Sequence, residues 1–177
     1  MSLLTALAIS LGVLGGVATW LFLGPLAGLS LQIWAAFIAW GCFFHCGGKE
    51  SGLTQTIAAN IAGAVIAGIT LLFVVSTGVA NTIGLPLWAG ICVGIGVAAM
   101  CLLANVQMFA SIPAQVYGFA STAGYALLSD KAGMVGLPSL ANPVLIIIIS
   151  MVIGALLGYL SEKVAIQLTT ARGTVSA

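Results

Sequence analysis

Long uninterrupted apolar runs are the feature that most constrains this chain. Four of them, Ser2 to Leu23, Leu53 to Val75, Leu85 to Leu103 and Val144 to Leu168, are each about 20 residues or more. At 1.5 Å per residue, a helix of that length crosses the roughly 30 Å hydrocarbon core of a bilayer. Charge is correspondingly scarce: four basic and three acidic side chains make up 4% of the 177 residues, against about 25% in an ordinary soluble domain. With 62% hydrophobic residues there is too little polar side chain to cover a water-facing globule. The sequence therefore predicts an all-α polytopic membrane protein, with the lipid bilayer as its first partner.

Two further runs are shorter and more polar. Leu31 to Phe44 follows the breaker Gly24-Pro25 and is about 14 residues long, short for a span unless neighbouring helices shield its ends. Ile112 to Leu128 opens beside Pro113, with Ser111 placed to cap it. Six transmembrane helices are expected, in a single transmembrane domain over residues 1–177. Met1 to Leu23 has no Lys or Arg of the kind that opens a signal peptide, so it is expected to be a retained first span.

With six spans, Lys49, Lys163 and Arg172 share a face with both termini and Lys131 lies opposite, so both termini are expected in the cytoplasm. The order long, short and polar, long occurs twice. Since three is odd, residues 1–76 and 85–168 are candidate inverted three-helix repeats, an arrangement that places binding sites near the bilayer midplane. The connection Ser129 to Pro143 is long for so small a bundle and is expected to fold back as an outer lid.

A formal charge of +1 leaves no basic patch, so nucleic acid is excluded as a partner. Cys42, Cys46, Cys92 and Cys101 lie in or beside apolar runs and are read as reduced thiols. No phosphate loop, serine triad or carboxylate pair is present, so an enzyme is not expected. No Asp, Glu, Lys or Arg falls in the middle of a span, which removes the carboxylate relay of proton-driven carriers. Passive passage of a small, uncharged polar solute fits this composition better than pumping.

Helices in lipid associate through close packing and interhelical hydrogen bonds. Contacts are therefore expected at Gly12 and Gly16, at Ala59, Gly63 and Ala67, at Gly90 and Gly94, and at Gly154 and Gly158. Polar groups at depth are concentrated in the fifth helix, where Gln115, Gly118, Thr122 and Tyr125 recur at helical spacing and Tyr117 and Ser121 form a neighbouring strip. Such a stripe either replaces the hydration shell of a polar solute or bonds to neighbouring helices as packing glue. Gln107 and Ser111 extend it only if the helix continues through Pro113. Asn60 is the deepest remaining polar side chain.

In the second helix, Phe37, Trp40 and Phe44 can narrow a pore against the fifth helix or serve as an interfacial belt together with Trp34. His45, near the cytoplasmic end, is the candidate gating residue. Cys42, His45 and Cys46 place three soft ligands within little more than one turn, but without a further ligand motif no metal and no cofactor is expected.

The stretch from Trp34-Ala-Ala-Phe37 to His45-Cys46-Gly47-Gly48, and again Ile112-Pro113 to Gly118-Phe119-Ala120, resembles the YcdZ family of small bacterial inner-membrane proteins over most of the chain. The resemblance implies a six-helix protein of the bacterial inner membrane and carries no activity with it. This chain departs from the family pattern at Gly47, where proline is usual. The expected function is a channel or facilitator, homo-oligomeric, for a small urea-like solute. The pore would be lined by Gln115, Thr122, Tyr125, Ser121, Tyr117, Asn60, Phe37, Trp40 and Phe44. A small monovalent anion channel and a non-transporting accessory subunit are the alternatives.

Overall fold

A computed structural model describes residues 1–170; Arg172, used above for orientation, lies outside the described residues. Seven helices and no strand occur among the described residues: α1 (Leu3–Leu23), α2 (Ile33–His45), α3 (Lys49–Ser76), the short α4 (Ala80–Ile83), α5 (Leu85–Leu103), α6 (Ile112–Leu128) and α7 (Pro143–Thr170). Four of them, α1, α3, α5 and α7, are long and apolar enough to cross a membrane. At 13 and 17 residues, α2 and α6 rise only about 20 and 26 Å.

Local chemistry sets the helix ends. Ser2 accepts a hydrogen bond from Thr5 N, 3.1 Å, and caps α1, which stops at Gly24-Pro25. Ser111 Oγ accepts from Ala114 N to cap α6, and Pro113 sits in the first turn where its missing N–H is harmless. Gln107 consequently lies in a separate 3-10 turn, Gln107–Phe109, and does not extend the α6 stripe. Between α2 and α3 the chain reverses through Gly47 and Gly48 at φ +90° and +67°, with Gly48 N donating to Phe43 O.

Two close crossings form the centre. α6 lies along α3 and α2 lies along α7, while the long helices α3 and α7 also touch each other. α1 packs on α7 and α5 packs on α3, each at the periphery. Exchanging α1, α2 and α3 for α5, α6 and α7 therefore reproduces the same pattern of neighbours.

Small residues make both crossings possible. A Cβ on Gly63 would fall 1.8 Å from the Gln115 carbonyl oxygen, and one on Gly154 would fall 1.9 Å from that of Ala36. Gly158 lies against the Phe43 side chain, which would stand 2.9 Å from an added Cβ. Gly12, Gly16, Gly90 and Gly94, by contrast, have nothing within 4 Å of a Cβ and lie on the outward faces of α1 and α5. The expected small-residue contacts thus divide into internal crossings and uncovered outer faces.

The connection after α6 does fold back. Val135 is buried against Leu71 of α3 and Ala126 of α6. Asn142 holds the loop closed by donating to Val135 O and Leu137 O, and its Oδ1 accepts from Val144 N at the start of α7.

Candidate functional site

The polar stripe of α6 faces the inside of the bundle. Gln115 and Thr122 are fully buried, Tyr125 nearly so, and Gly118 between them lies against α3, where a Cβ would approach Asn60 O to 2.0 Å. Ser121, on the neighbouring strip, is also buried, and Tyr117 is half-buried. Facing them on α3 are Asn60 and, one turn earlier, Thr56, both buried. Thr56 was absent from the sequence expectation. The signal for it was its i, i+4 spacing to Asn60 on the face that also carries Gly63.

Few of these groups find partners. Gln115 Nε2 donates to Phe109 O, 2.8 Å, which leaves Oε1 as its free end. The thiol of Cys42 donates to Asn60 Oδ1, 3.8 Å, which leaves Nδ2 free. Among the described residues, five buried side-chain atoms have no hydrogen-bond partner: Gln115 Oε1, Asn60 Nδ2, Thr56 Oγ1, Ser121 Oγ and Thr122 Oγ1. All five belong to α3 and α6.

The stripe has a polar group at each end. Where α2 turns into α3, Cys46 Sγ donates to Ser111 Oγ, 3.6 Å, and lies 4.0 Å from Cys42 Sγ. At the opposite end, Lys131 Nζ donates to Tyr125 Oη, 2.8 Å, and lies over the tyrosine ring. A polar line thus runs from Cys46 and Ser111 through Thr56, Asn60 and Gln115 to Ser121, Thr122, Tyr125 and Lys131.

The second-helix aromatics are not brought to this line. Phe37 is 46% exposed and stacks on Trp40, whose buried Nε1 donates to Ser161 Oγ of α7, 3.0 Å. Phe37, Trp40 and Phe44 instead line a shallow groove with Leu11 of α1. Their side of α2 is the one that packs on α7 and α1, and the side carrying Cys42 faces α3. Trp34 is exposed and donates to Gln32. His45 is exposed and meets the edge of Tyr117, 6.1 Å between ring centroids.

A second polar group lies on the first turn of α3, outside the apolar run 53–75. Glu50 accepts from Tyr159 Oη, 2.7 Å, and pairs with Lys163, 2.9 Å. The tyrosine hydroxyl first, and the ammonium second, hold the Glu50 carboxyl well below the usual carboxylate range. Glu162 accepts from Lys49 N, 2.8 Å, on the same face. Together they tie the start of α3 to the far end of α7.

Residues 8–166 match the family described as "Protein of unknown function (DUF1097)". No curated protein and no solved structure matches the chain.

Proposed function

The chain belongs to the DUF1097 family, and from that premise we propose that it is a six-span facilitator that lets a small, uncharged, urea-like solute cross the bacterial inner membrane. In this reading the resemblance to the YcdZ family lies within that membership, and both termini face the cytoplasm. The carrying observation is the set of five buried polar atoms without partners on α3 and α6. Each buried polar group left unpaired costs about 1–3 kcal/mol, so five on two facing helices are better explained by a polar molecule that meets them than by packing alone.

The donor and acceptor types favour a neutral solute over an anion. Gln115 Oε1 only accepts and Asn60 Nδ2 only donates, while the hydroxyls of Thr56, Ser121 and Thr122 do both. An amide or urea presents both N–H and C=O and complements this set. A monovalent anion offers only acceptors and meets an opposing lone pair at Gln115. No charged side chain lies along the polar line until Lys131, at its end.

The backbone contact of Gly63 with Gln115 closes the line at that level, so passage requires α3 and α6 to part. We read residues 1–76 and 85–168 as inverted repeats, because the helix neighbours exchange when the halves are exchanged. In that scheme α2 on α7, lined by Ala35, Ala39, Ile146, Ile147 and Met151, is the apolar counterpart that stays packed while α3 on α6 opens. The uncovered glycine faces of α1 and α5 support assembly as a homo-oligomer.

Stopped-flow light scattering on proteoliposomes tests the reading, with urea, formamide, glycerol, water and a formate gradient compared against empty vesicles. Entry of urea or formamide well above the lipid background is expected. Selective formate entry would transfer the assignment to an anion, and no flux from folded protein would leave an accessory subunit.

A further inference from the structure

Cys42, in the last turn of α2, and Cys46, the residue that caps its end, are free thiols, one buried and one half-buried, with their sulfurs 4.0 Å apart. We propose that they form a binding site for one soft monovalent cation, copper(I) or silver(I). This is independent of the solute reading, since it uses the sulfurs at the mouth of the polar line and requires no passage.

The geometry fits an ion shared between the two sulfurs. A cation about 2.3 Å from each of two sulfurs 4.0 Å apart makes an S–cation–S angle of about 120°. Asn60 Oδ1 lies 3.8 Å from Cys42 Sγ and Ser111 Oγ lies 3.6 Å from Cys46 Sγ, close to the separations of donors arranged around one ion. Thr56 Oγ1, buried and without a partner, is a further oxygen in the same part of α3.

The donor set selects the class of ion. Two thiols, each of which gives up its proton to water on binding, supply the soft thiolate ligands preferred by copper(I). Among the described residues no group of three His, Cys, Asp or Glu side chains forms, and His45 is turned to Tyr117, so the four ligands that zinc requires are missing. Cys46, half-buried beside Ser111 where α2 ends, gives the ion and the two departing protons a route to water.

Purified full-length protein in detergent micelles, titrated with copper(I) presented from a coloured chelator under anaerobic conditions, tests this. One equivalent is expected to transfer, and silver(I) is expected to compete for it. Cys42→Ser and Cys46→Ser should each weaken binding by more than about 100-fold, beyond the 10- to 100-fold typical of outer-shell partners, and Asn60→Ala should fall within that range. A Cys92→Ser/Cys101→Ser variant should bind like the native chain. Protection of Cys46 from a maleimide by silver(I), measured on the native chain, keeps the test decisive if a serine variant does not fold. Failure of the native protein to take up copper(I) or gain protection, or undiminished uptake by a folded Cys42→Ser/Cys46→Ser double variant, would overturn the proposal.

Discussion

Gly63 of α3 and Gln115 of α6 meet backbone to backbone: a single Cβ added to Gly63 would come within 1.8 Å of the Gln115 carbonyl oxygen. No rotamer relieves such a contact, because the obstacle is main chain. Gly63→Ala is expected to destabilise by more than about 3 kcal/mol, the upper end for ordinary overpacking. Gly154→Ala should behave alike against Ala36. Gly94→Ala and Gly12→Ala, which meet nothing within their own subunit, should leave the dissociated subunit within about 0.5 kcal/mol of the native chain. Thermal unfolding in one detergent checks all four, and an unaffected Gly63→Ala would mean that α3 and α6 do not cross here.

Thr56 and Thr122 separate the two readings of the polar stripe. Their hydroxyls are buried and unpaired, so a change to valine removes a polar atom at nearly constant volume. Thr56→Val and Thr122→Val are each expected to raise stability by about 1–3 kcal/mol while lowering urea entry. If the hydroxyls act as packing glue, the same substitutions lower the melting temperature. Melting curves and flux measured on the same preparations decide between them.

Gln115→Leu removes both the free Oε1 and the bond from Nε2 to Phe109 O. The lost hydrogen bond is expected to cost about 1 kcal/mol, too little to unfold the bundle. Solute flux should fall to the level of empty vesicles. Native flux from the folded variant would remove the stripe from the mechanism.

Trp40→Phe probes an aromatic that sequence reading had placed at a constriction. Its indole N–H bonds to Ser161 of α7, so the substitution should lower stability by about 0.5–1.5 kcal/mol. The ratio of urea to formamide entry should not change, because Trp40 faces α7 and not α6. A shift in that ratio would return Trp40 to the path.

Much of the local structure was legible in the residues. Ser111 and Pro113 announced the start of α6, and Gln115, Gly118, Thr122 and Tyr125 at helical spacing announced one buried face. The start of α3 was harder to read. The helix opens at Lys49, ahead of its apolar run, because Lys49 and Glu50 continue it while pairing with Glu162 and Lys163 of α7 across the face of the bundle. Such pairings join residues more than a hundred positions apart, which no local pattern encodes.

The division between sequence and tertiary structure is physical. A chain with 4% charge and apolar runs of helical length has its solvent and its helices decided by composition and spacing, since only helices satisfy their own backbone polar groups in lipid. The choice of which helix meets which is different, because all the apolar faces look alike to lipid and the decision falls to close approach. Gly63 and Gly118 let α6 lie against α3, and Gly154 lets α2 lie against α7. Those approaches turned Trp40 towards Ser161, gathered Thr56 and Asn60 opposite Gln115 and set Cys42 beside Asn60. The stripe itself was written in the sequence of α6; the groups that face it were chosen by where two backbones could touch.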